Sequence, residues 1–93
     1  MAVRPNFASI VRLDGDSMTV AGESNDQPNP RELQVFVEQG GHVEGTRVSR
    51  FADTWETSLR SEGFEPGPAL AFGVEIRTNP FQATSWTEMV TIE

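Results

Sequence analysis

The chain has 93 residues, which suffice for one domain (residues 1–93) and leave no room for a separate cofactor-binding domain. Cysteine is absent, so a disulfide scaffold, a thiolate zinc site and a cysteine nucleophile are excluded. Fourteen acidic and seven basic residues give a net charge of −7. Because nucleic acids and anionic membranes attract clustered positive charge, we expect no binding to either.

The N-terminal half contains four segments in which apolar and polar residues alternate, the period of a β-strand with one buried face. The sequence Asp14-Gly15-Asp16 predicts a hairpin turn after the first segment, and Gly40 with Gly41 predicts another before the fourth. A proline- and asparagine-rich surface loop is expected over residues 23–31. The predicted strands of this half are 7–13, 17–22, 32–39 and 42–50, the last being an edge strand with a bulge at Gly45.

Three further alternating segments, each bounded by turn residues, follow in the C-terminal half: 53–60, 69–78 and 84–92. A helix over 53–61 is the competing interpretation of the first, but Thr54, Thr57 and Ser58 are poor helix formers. The alternation assigns to the buried faces Phe7, Ser9, Val11 and Leu13; Met18 and Val20; Leu33, Val35 and Val37; Trp55, Thr57 and Leu59; Leu70, Phe72, Val74 and Ile76; and Trp86, Val90 and Ile92.

Seven short strands separated by turns predict an all-β chain, a sandwich or a barrel. The C-terminal half adds a resemblance. A strand with an inward Trp55 precedes a Gly/Pro turn, a long alternating strand, an Asn79-Pro80 hairpin and a last strand that ends Glu-Met-Val-Thr-Ile. In that order, these elements resemble bacterial immunoglobulin-like and fibronectin type III-like domains. The cysteine pair and the corner tyrosine of antibody domains are absent.

The resemblance implies a seven-stranded antiparallel immunoglobulin-like β-sandwich. It also implies a role in binding, adhesion or spacing rather than in catalysis, although fold analogy alone is a weak argument for function.

Residues capable of catalysis or metal binding do not form a recognisable motif. His42 is the only histidine, follows two glycines and is expected on an exposed turn, and no serine has the surroundings of a nucleophile elbow. Asp14 and Asp16, with Asn25 and Asp26 in the next loop, offer oxygens to Ca²⁺, but a calcium loop needs more carboxylates along one segment. We therefore expect no enzyme activity, no cofactor and no metal.

Glu75 and Glu88 are candidates for a carboxylate pair for glycoside hydrolysis. Glu75 alternates with Val74 and Ile76 and is expected to be solvated. Glu88 shares the parity of Trp86, which predicts either a shift of register or a position near a sheet edge. Structural roles are expected for both carboxylates.

The aromatic residues suggest where the chain binds. The two tryptophans are in phase with aliphatic residues and are expected in the core; if exposed, they would instead stack on sugar rings. The phenylalanines that are out of phase or near turns either form a partner-binding surface or close the ends of the sandwich: Phe36, Phe51, Phe64 and Phe81.

The expected function is therefore a small non-catalytic binding or structural module that contacts a protein partner or a second copy of itself. A carbohydrate-binding module that uses exposed aromatics is the alternative, and an acidic inhibitor that mimics a polyanion is a third possibility. The first five residues lack the apolar stretch of a signal peptide and no segment reaches transmembrane length, so a cytoplasmic location is the default expectation.

Overall fold

A computed structural model describes residues 6–23, 31–48, 54–78 and 81–93 of the chain. Within these ranges the structure is all-β, as the alternation predicts, and the segment for which a helix competed is a strand. The strands are β1 (Asn6–Phe7), β2 (Ile10–Asp14), β3 (Ser17–Glu23), β4 (Arg31–Gln39), β5 (His42–Val48), β6 (Thr54–Arg60), β7 (Gly67–Thr78) and β8 (Phe81–Ile92).

The strands form two layers, an arrangement consistent with a β-sandwich. In the first layer, β3 pairs antiparallel with β6 along one side and with β1 and β2 along the other. The second layer is antiparallel in the order β8–β7–β4–β5. Strand β2 also pairs parallel with the end of β8, so it connects the two layers.

The structure has eight strands and one parallel pair, whereas the sequence predicts seven antiparallel strands. The difference arises because the predicted strand 7–13 changes partner midway. The amide of Ala8 donates to the carbonyl of Ala21 in β3 at 2.8 Å, whereas the carbonyl of Ser9 accepts from the amide of Thr91 in β8, also at 2.8 Å. This change of layer divides the segment into β1 and β2.

The predicted hairpin turns are present. Gly40 and Gly41 link β4 to β5 with φ values of +60° and +86°. Positive φ at both central residues is the requirement of a type I′ turn, whose twist matches that of the flanking strands. The regular register continues through β5, where Gly45 lies opposite Phe36, so the bulge predicted at Gly45 is absent while the edge position is correct.

The core lies between the layers and includes most of the residues that the alternation assigns to it. Trp55 is buried, and Trp86 packs against the core partly buried, which confirms that both indoles lie on inner faces. Ser9 is exposed, because it lies in the break between β1 and β2. The buried apolar side chains are Phe7, Val11, Met18, Val20, Leu33, Val35, Val37, Val48, Trp55, Leu59, Phe64, Ala69, Ala71, Val90 and Ile92.

Strand β7 faces the opposite way from the sequence prediction. Its buried positions carry small residues and one carboxylate, namely Ala69, Ala71, Gly73 and Glu75. The larger residues expected to be buried lie on the outer surface: Leu70, Phe72, Val74 and Ile76. Both sets alternate with period two, so the choice depends on the space that the neighbouring strands leave.

The two glutamates are placed accordingly. Glu75 is 3 % exposed, so the expectation that it is solvated is wrong. It is buried because the odd-numbered residues of β7, rather than the even-numbered ones, face the core. Glu88 stays in phase with Trp86 and needs no shift of register. Its Oε2 accepts a hydrogen bond of 2.9 Å from the backbone amide of Phe7, which gives this inward carboxylate a structural role.

Three aromatic side chains lie over glycines directly opposite them on the neighbouring strand. Trp55 covers Gly22, and Trp86 covers Gly73, both on inner faces. A Cβ at residue 73 would come within 2.7 Å of Trp86 Cε2. A Cβ at residue 22 would meet the backbone carbonyl of Asn6 as well as Trp55 Cζ2, at 2.7 Å. The third pair, Phe36 over Gly45, lies on the outer surface.

The two inner pairs predict different responses to the same substitution. Gly73→Ala should lower the free energy of unfolding by about 1–3 kcal/mol through overpacking, and by much less in a Trp86→Val background, because the three heavy atoms nearest to the new methyl group all belong to the indole. Gly22→Ala should remain costly in a Trp55→Val background, because the carbonyl of Asn6 does not move away. Urea unfolding of the two double-mutant cycles measures both couplings; equal cost of Gly73→Ala in the two backgrounds would contradict the packing described.

Candidate functional site

The outer face of the β5–β4–β7–β8 layer is the candidate site. Because the four strands pair in register, outward residues form rows across it. We call this set of residues, together with Phe81, the outer face: Val43, Glu38, Leu70 and Met89; Gly45, Phe36, Phe72 and Thr87; Arg47, Gln34, Val74 and Ser85; and Glu32, Ile76 and Ala83.

Every exposed large hydrophobic side chain of the described residues lies on the outer face. Phe81 is 75 %, Met89 66 %, Val43 54 % and Phe72 36 % exposed. Single exposed apolar residues are ordinary in soluble proteins, whereas several on one surface make that surface a candidate site.

Phe36 and Phe72 form the aromatic centre of this surface. Their ring centroids are 5.9 Å apart with an interplanar angle of 55°. Phe36 also lies over Gly45. Beside it, between β4 and β5, is a shallow depression of about 260 Å³ lined by Gln34, Phe36, Gly45, Thr46 and Arg47. The ring of Phe36 lies where a side chain of residue 45 would be, so Gly45 accommodates this ring, and the depression beside it is also bordered by Gln34, Thr46 and Arg47.

The other layer presents a different exterior. Met18, Val20, Trp55 and Leu59 are turned inward, and the outward positions of β3 and β6 are mostly polar. They are Ser17, Thr19, Ala21, Thr54, Glu56, Ser58 and Arg60. The fold thus accepts polar residues at outward strand positions, and the apolar character of the outer face is specific to one layer.

The charged groups of the outer face are satisfied within the chain. Arg47 forms an ion pair with Glu32. Glu38 Oε1 accepts a hydrogen bond of 2.9 Å from the amide of Gly41. Glu38 lies between Val43 and Leu70 in its row, so a carboxylate separates these two apolar residues, whereas Phe36 and Phe72 are direct neighbours.

The structure separates the four phenylalanines proposed from the sequence. Phe36 and Phe81 lie on the outer face, but six register steps along β7, about 20 Å, separate their positions. Phe64 is buried in the core, where its ring lies 4.8 Å from that of His42 and closes one end of the molecule. Phe51 lies outside the described residues.

The sequence analysis missed Phe72, Met89 and Val43. Phe72 was assigned to the core with the rest of its parity. The available signal was the other face of β7. Ala69, Ala71 and Gly73 on that face are small, which is typical of positions that pack closely beneath a large side chain of a neighbouring strand.

The remaining candidates do not assemble into a reactive site in the described part of the chain. His42 begins β5 rather than lying on an exposed turn, and its Nε2 is 3.9 Å from Glu44 Oε1. Asp14 and Asp16 flank the β2–β3 turn, whereas residues 25 and 26 lie outside the described ranges. Among the described residues, no group of three side chains is placed to hold a metal ion.

No protein-family model, curated protein or solved structure matches this chain. No helix in the described ranges is long and apolar enough to cross a lipid bilayer.

Two of the phenylalanines provide a test of these placements. Phe64→Ser should lower the free energy of unfolding by about 3 kcal/mol or more, because it removes a buried ring. Phe81→Ser, at an exposed position, should change it by less than about 1 kcal/mol. Urea denaturation followed by tryptophan fluorescence measures both, and similar losses for the two variants would show that Phe81 is part of the core.

Proposed function

We propose that this chain is a non-catalytic binding module that contacts a protein partner through the outer face. The observation that carries the proposal is the gathering of Val43, Phe72, Phe81 and Met89, the exposed large hydrophobic side chains of the described residues, on that one surface. Aromatic residues and methionine are enriched where proteins bind one another.

The state of the core supports this interpretation. The buried cluster is contributed by residues of both layers and does not include Phe72, Met89 or Val43. Core packing therefore does not explain why these large apolar residues occur at these positions. A surface of this kind costs solubility unless a partner covers it.

The finer assignment of the fold is part of the proposal. If β1 and β2 are counted as one strand broken at Ala8 and Ser9, the described residues form seven strands in the layers β1/β2–β3–β6 and β8–β7–β4–β5. That order supports an immunoglobulin-like or fibronectin type III-like sandwich, as the resemblance of the C-terminal half implies.

The alternative function, carbohydrate binding through exposed tryptophans, has less support. Trp55 is buried, and its indole Nε1 donates to the carbonyl of Glu23 at 3.3 Å. Trp86 is on the inner face of β8. Both indoles lie on inner faces and pack in or against the core, which supports a protein partner over a sugar.

A photo-crosslinking amino acid tests the proposal in cells of the source organism. With p-benzoylphenylalanine in place of Phe72, irradiation should give a covalent adduct with a protein, because this position lies at the centre of the outer face. The matched control carries the same amino acid in place of Ser58, on the exterior of the other layer, and should give no adduct. Absence of any adduct from position 72, or equal adducts from both positions, would contradict the proposed function.

A further inference from the structure

We propose that the partner of the outer face is a second copy of this chain, packed face to face about a twofold axis. The inference rests on the proposed function and commits it to one occupant. Its support comes from the charge of the surface, its area and its geometry.

The charge distribution favours a second copy over a basic partner. The whole chain carries a net charge of −7, so two copies repel each other across most relative orientations. The outer face contributes only two glutamates and one arginine to that total, Glu32, Glu38 and Arg47. Arg47 pairs with Glu32, whereas the amide bond to Glu38 leaves its charge in place, so the outer face has a net charge of −1 and offers a basic partner little attraction.

The area is adequate for a specific but modest dimer. Four strands give a width of about 20 Å, and the run of β8 from Phe81 to Met89 gives a length of about 27 Å, or about 500 Å² for each copy. Two such faces together bury about 1,000 Å², without counting the extra surface of projecting side chains. This area is near the lower end of the range for specific interfaces. We therefore expect a dissociation constant in the micromolar range, about 1–100 μM.

The geometry is that of one sheet on another. Twisted sheets pack face to face at about 30° with apolar side chains interdigitated, as the two layers do within this molecule. A twofold dimer also closes on itself, because each copy uses the same surface and leaves none for a third. The shallow depression beside Phe36 offers space for a side chain of the opposite copy.

Two serine-to-glutamate variants of the full chain separate a second copy from other partners. Ser85→Glu adds a carboxylate to the outer face between Val74 and the sheet edge, so it would appear on both sides of the proposed interface. Ser58→Glu adds the same charge to the exterior of the other layer. Both serines are exposed, and the two variants have equal net charge.

Sedimentation equilibrium between about 10 μM and 1 mM, at moderate salt, should show a reversible dimer for the unsubstituted chain. Ser85→Glu should weaken dimerisation at least about 10-fold, because like charges meet in a desolvated interface. Ser58→Glu should change it by less than about 2-fold, since its charge stays remote from the interface and is screened. Far-ultraviolet circular dichroism establishes that each variant is folded, and Thr87→Glu, one row away, replaces Ser85→Glu if that variant does not fold.

A monomer throughout this range would overturn the inference, and so would equal weakening by the two glutamates. These outcomes are distinct from failure of the proposed function. Adducts from position 72 at twice the mass of the chain support a second copy. Adducts only with other proteins, together with a monomer in sedimentation, leave the proposed function standing and refute the dimer.

Discussion

A cluster of three aromatic rings joins the two layers. The ring of Phe7 packs against both Trp55 and Trp86, with centroid separations of 5.5 and 5.8 Å. Trp55 belongs to the layer of β3, and Trp86 to β8 in the other. The amide of Phe7 is bound in turn by the carboxylate of Glu88, so a strand of only two residues is held to both sides of the core. Edge-to-face pairs contribute about 0.5–1.5 kcal/mol beyond the area they bury.

The same cluster accounts for the unusual orientation of β7. Two indoles and a phenyl ring occupy the core at this end, and each indole needs a glycine opposite it, Gly22 or Gly73. With Trp86 lying across β7 at Gly73, the inner positions on the Ala69 side of that glycine hold small residues such as Ala71, and Glu75 is the one large inner side chain among the described residues of this strand. The large residues of β7 are consequently turned outward, and the apolar outer face follows from how the core is filled.

The dependence of the β7 orientation on a distant indole explains which parts of the structure the sequence predicts. The strands and turns follow from local alternation and glycine positions. Each of the seven predicted segments therefore corresponds to a strand, and the first is divided in two. The face of β7 does not follow, because Ala69 to Val74 are apolar on both parities and only the distant Trp86 decides between them. Phe36 was assigned outward because its neighbours Val35 and Val37 form one clear apolar parity. Its companion Phe72 was missed because its strand has no such contrast.

Two edge strands carry charge that opposes open growth by strand addition. These strands, β5 and β6, contain among others Glu44, Arg47, Glu56 and Arg60, whereas β2 pairs only with the end of β8 and leaves residues 81–90 of β8 without a second neighbouring strand in the described part of the chain. Charged edge strands discourage the addition of further strands by backbone hydrogen bonding, which is how sheets polymerise. In the proposed dimer, association occurs instead through side-chain packing of the outer face, which saturates when one partner is bound.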